Sequence, residues 1–101
     1  MLVAFSVAPA VADETGSVAA AVARAIAIVR DSGLPNRTSS MFTEIEGEWD
    51  EVMAVVKAAC DAVAEVSPRV GLVLKADIRA GYAGQLTAKV DRIEALLEAQ
   101  L

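Results

Sequence analysis

Few side chains in this chain can do chemistry. There is no histidine, and the single cysteine is Cys60. That excludes disulfide frameworks, His- or Cys-based metal sites, Ser-His-Asp triads and Cys-His pairs together. Chemistry rests on Asp, Glu, Lys, Arg, Tyr, hydroxyls and the backbone. Glu44, Glu46 and Glu48 recur at alternate positions just after a hydroxyl-rich stretch. Three carboxylates can offer oxygen to a hard cation, but we read them as solvated or salt-bridged groups. Glu46 with Lys75 is either an acid–base pair or an ion pair. Cys60 lies among Ala and Val, where a buried, inert thiol is expected. Trp49 either packs on its own subunit or serves an interface or a stacked ligand, and Phe42 is similar. Tyr82, in a glycine-flanked segment, is either a lid or a plain loop residue. Gly33, Gly71, Gly81 and Gly84 lack the spacing of a phosphate loop or a dinucleotide fingerprint.

Composition narrows the class further. The chain has 101 residues, is 55% hydrophobic and carries a net charge of −5. One domain spanning residues 1–101 fits that length. The hydrophobic fraction excludes disorder, and an acidic surface repels phosphate backbones, so no nucleic-acid partner is expected. No stretch approaches the roughly 18 apolar residues of a membrane span. The apolar start, Leu2 to Ala12, has no preceding basic residue and is β-branched. It reads as a buried first strand rather than a signal peptide. A lone cysteine suits the cytoplasm.

These groups need elements to position them. Residues 2–8 read as a strand ended by Pro9, and 10–16 as a loop. Ser17 is a candidate N-cap for a helix whose stripe is Val18, Val22, Ile26 and Val29. Gly33 and Pro35 end it. Strands are expected near Arg37–Met41 and Phe42–Glu46, with a tight reversal between them. A second helix starts near Glu48, with Val52, Val55, Val56, Ala59, Val63 and Val66 as its apolar face. A strand runs from Val70 to about Ile78, a loop spans 79–84, and a last helix covers about 86–99 with Leu86, Val90, Ile93 and Leu97 as its stripe. That order predicts an α+β fold: a ferredoxin-like βαββαβ sandwich with an additional C-terminal helix.

Strand parity distributes the polar groups. With Val3, Phe5 and Val7 on one side of the first strand, Leu2, Ala4, Ser6 and Ala8 take the other. Both sides are largely apolar, so the sheet's second face needs a cover, either the third helix or another subunit. If Ile45 points to the helices, Glu44 and Glu46 share the open face with Ser6, Lys75 and Asp77. A few polar groups in an apolar setting make a small-molecule pocket.

Several segments, in order, carry a family resemblance. They are Leu2–Pro9, Ser17-Val18, Ser32-Gly33-Leu34-Pro35, Ser40 to Gly47, Asp50-Glu51-Val52, Pro68-Arg69-Val70, Lys75 with Asp77 and Arg79, and Lys89-Val90. Together they resemble a family of small thiamine-binding proteins, the run from Met41 to Val52 most specifically. The resemblance implies ferredoxin-like subunits that pair through their sheets into homodimers or homotetramers. It also implies binding of thiamine (vitamin B1) or its hydroxymethylpyrimidine half, without catalysis or a cofactor. Many members have Gly-Thr after the methionine, where this chain has Phe42-Thr43.

An aminopyrimidine has a flat π-face and a donor–acceptor edge. Phe42 can stack on it, Glu44 or Glu46 can accept from its amine, and Ser6, Thr38, Ser40 and Thr43 can complete the hydrogen bonds. Lys75 lies near by parity. An acidic pocket favours the cationic thiazolium. The expected function is therefore a non-catalytic carrier, buffer or sensor, with its pocket at a sheet-to-sheet subunit interface. The alternatives are a structural or regulatory oligomerisation module, and a small Glu/Lys acid–base enzyme.

Overall fold

A computed structural model of the chain describes residues 1–10 and 18–100. The expected N-cap Ser17 and most of the 10–16 loop lie outside the described residues. The elements are β1 (Leu2–Pro9), α1 (Ala19–Asp31), β2 (Asn36–Thr38), β3 (Thr43–Glu46), α2 (Trp49–Ala64), β4 (Val70–Asp77) and α3 (Gln85–Ala99). The strands form one antiparallel sheet in the order β2-β3-β1-β4. This is the ferredoxin-like βαββαβ arrangement with a helix appended.

Alternation along β1 builds the core. Val3, Phe5 and Val7 are buried on one face, and Ile45 joins them from β3. The helices lay their apolar stripes over that face, Ala25 and Val29 from α1 and Val52, Val56, Ala59 and Val63 from α2. α2 starts on a capping box, in which the Glu51 carboxylate accepts the Glu48 N–H at 3.2 Å. α1 stops where Gly33 takes a positive φ of 79°, a conformation open to glycine. The Ser67 hydroxyl ties the end of β1 to the start of β4. It accepts from the Ala10 N–H at 3.0 Å and donates to the Arg69 carbonyl at 2.6 Å.

Four expectations need correction. β2 ends at Thr38 rather than Met41, and Phe42 precedes β3. The Ser39 amide and hydroxyl both donate to the Phe42 carbonyl at 2.9 Å, which reverses the chain through Ser40 and Met41. β4 ends at Asp77, leaving Ile78 exposed. Val66 lies past the end of α2 and is also exposed. The α3 stripe buries no residue: Val90, Ile93 and Leu97 all stay exposed. This helix touches the sheet chiefly at β3 and projects beyond it.

Candidate functional site

Two cavities divide the predicted site residues. The first is a cleft of about 370 Å³, open where β3 leaves β1. Pairing of β1 with β4 runs from Leu2 to Pro9, but pairing with β3 stops at Phe5↔Thr43. Beyond Phe5 the hairpin turns away, and the first turns of α1 close the gap from above. Thr38, Ser40, Phe42 and Thr43 line the cleft from the hairpin, and Ser6 borders it from β1. Five of the eight expected residues thus meet here. Thr43 and Thr38 are cross-strand partners on the helix-facing side, next to Phe5. Thr43 is buried and Phe42 half-buried.

Sequence reasoning missed part of this lining. Val18, Val22 and Ile26 read as a core stripe, but they wall the cleft. The core beneath α1 is filled by Ala25 and Val29 instead. A three-residue β2 is too short to reach under the first turns of α1, and the space left over is the cleft. Ser39 and Met41 were not singled out, and both border it. A reversal placed one or two residues earlier would have found them.

The second cavity, about 280 Å³, lies on the opposite face of the sheet beneath the start of α3. Glu44 and Lys75 line it with Asp77 and Lys89, two acids against two bases. The register puts Arg37, Glu44, Ala4 and Lys75 in one row across the strands. Parity therefore places Glu44 and Lys75 together, on the side away from the hydroxyl cleft.

Glu46 lines neither of these cavities. It is only 7% exposed, and its carboxylate accepts the backbone N–H groups of Gln85 at 2.9 Å and Leu86 at 3.2 Å. These are the first amides of α3, whose N-cap, Gly84, has no side chain to serve them. Glu46 is engaged by α3 rather than by Lys75. Among the described residues the ion pairs are Arg24–Glu65 and Lys57–Asp61.

A third hollow of about 210 Å³ sits at the end of β4, between Trp49 and Tyr82. Trp49 is 54% exposed, and the Arg79 guanidinium lies 3.6 Å from the centre of the Tyr82 ring. Cys60 is half-buried against the core, and burial together with the Asp61 charge holds its thiol above the ordinary range.

Comparison with known proteins agrees with this architecture. The family described as thiamine-binding protein matches residues 3–94. The UPF0045 protein Mb1933 of Mycobacterium bovis is 52% identical over 99 residues, covering 96% of this chain and 94% of the relative. A solved protein from Thermotoga maritima, proposed to act in thiamine biosynthesis or salvage, superposes with a TM-score of 0.78 at 29% identity. The match covers 91% of this chain and 96% of that one. The hypothetical protein MJ1052 of Methanocaldococcus jannascii gives a TM-score of 0.81 at 28% identity, covering 92% and 94%. The chain belongs to the thiamine-binding protein family.

Proposed function

We propose that this protein binds thiamine or its hydroxymethylpyrimidine half without chemical conversion, in the hydroxyl-lined cleft between α1 and the β2–β3 hairpin. The observation that carries this reading is the lining itself. Phe42 offers aromatic surface above the buried Phe5, and Thr38, Ser40 and Thr43 supply hydroxyls, in a volume of about 370 Å³. That is within the size range of small-molecule sites, roughly 300–1,000 Å³. The described lining carries no titratable side chain, which suits binding better than acid–base catalysis. Family membership supports the choice of ligand.

The sheet-face cavity is the second reading, because Glu44 supplies an acceptor for an amine or a charge for the thiazolium. Calorimetric titration with thiamine separates the two. Phe42→Ala is expected to weaken binding about tenfold through lost stacking, and Glu44→Gln to leave it unchanged. The reverse pattern moves the ligand to the sheet face.

We further infer that the chain self-associates through the open face of the sheet, in the cytoplasm. Val73 at 61% and Leu96 at 64% exposure support an apolar contact there.

A further inference from the structure

The strand edge that borders the cleft has a chemical property of its own. In an antiparallel sheet, the N–H and C=O of one residue point to the same neighbouring strand, and the side alternates along the chain. Met1 and Gly47 exchange both bonds, at 3.0 and 3.1 Å, so the odd residues of β1 address β3. The Ala10 N–H donates to the Arg69 carbonyl at 3.0 Å, so the even residues address β4. Val3 and Phe5 are therefore satisfied by Ile45 and Thr43. Val7 is next, and its register partner would be Met41. The hairpin has turned away by then, and no pairing extends that far. Among the described residues nothing meets the Val7 N–H or C=O. Both point into the cleft that Val7 lines.

We propose that the Val7 backbone is the recognition edge of this site, donating to a ring nitrogen and accepting from the exocyclic amine beside it. The inference deepens the pyrimidine-binding reading and rests on it. A 4-aminopyrimidine carries an acceptor and a donor side by side, the complement of one extended residue's N–H and C=O. Phe42, half-buried at the rim of the same space, can offer its face to the ring, while Phe5 is buried in the floor beneath. An added β-strand is the obvious rival occupant of a free edge. Here the free edge is too short for it. Phe5 is already paired, and Pro9, the next residue of the same parity, has no N–H to donate. One donor between a paired residue and a proline suits a single heterocycle, not a peptide.

The test uses the intact, unmutated protein labelled with ¹⁵N. Thiamine is titrated in while backbone amide shifts and amide exchange are followed. The Val7 amide is expected to move at saturation and to exchange more slowly. The hydroxymethylpyrimidine lacking its 4-amino group is expected to bind about tenfold more weakly than the amino compound. Saturable thiamine binding with an unmoved Val7 amide overturns the inference and leaves the binding function standing. Equal affinity for the amino and deamino compounds also overturns it. A failure of thiamine and the pyrimidine to saturate the protein overturns both readings.

Discussion

A carboxylate that accepts two backbone N–H groups holds a helix start in place, and its removal has a measurable cost. Glu46 does this for α3. Glu46→Ala is expected to destabilise that first turn by about 1 kcal/mol, the usual size of a lost cap. Faster amide exchange confined to α3 is the result that checks it; an unchanged rate there would mean the cap contributes nothing. Cys60 gives a prediction in pH. Burial raises its thiol pKa above the ordinary value, so the folded protein keeps its proton to higher pH than the unfolded chain. The stabilisation is then fully present below the unfolded thiol pKa and is lost as pH rises through the folded one. Native protein should react with iodoacetamide more slowly than urea-unfolded protein at pH 8, and equal rates would contradict the burial.

At the scale of elements, the join between α2 and β4 depends on one hydroxyl. Ser67 is buried and bonded to Ala10 and Arg69. Ser67→Ala leaves the Ala10 N–H with the Arg69 carbonyl alone, at a cost of about 1–2 kcal/mol. A lower urea midpoint with an unchanged slope would register it. The element order was readable from sequence because strong signals bracket it: alternation in Val3, Phe5 and Val7, the Val52–Val56–Val63 stripe, and Gly33 with Pro35. The hairpin was less readable. Its reversal is set by Ser39 donating twice to the Phe42 carbonyl, with no Asn-Gly or Asp-Gly to announce it. Chemistry and strand parity alone do not reveal that Glu44 and Phe42, two positions apart, belong to opposite faces. Nor do they reveal that Glu46 answers a helix forty residues later. The first follows from the hairpin turning away before β3 begins at Thr43; the second depends on where α3 docks, and its amphipathic stripe does not specify the surface it meets.

At the scale of the whole molecule, the radius of gyration is 15.5 Å. A compact chain of this length has about 13 Å. The longest axis measures 50 Å, and α3 buries none of its residues. Exposed Ile93, Leu96 and Leu97 on that helix, with Val73 on the open sheet face, leave apolar area that a second copy can cover. Light scattering should then return a multiple of 10.5 kDa for the native protein, and Val73→Asp with Leu97→Asp should lower it toward the single-chain mass. A single-chain mass for the unmutated protein would remove self-association. The position of the core has one more consequence. Among the described residues, every member of it precedes the 79–84 loop, and α3 gives it none. The last fifth of the chain is thus a separately editable module. Its surface can drift, lengthen or acquire a new partner over generations without repacking the sandwich, provided that Glu46 keeps its first turn in place.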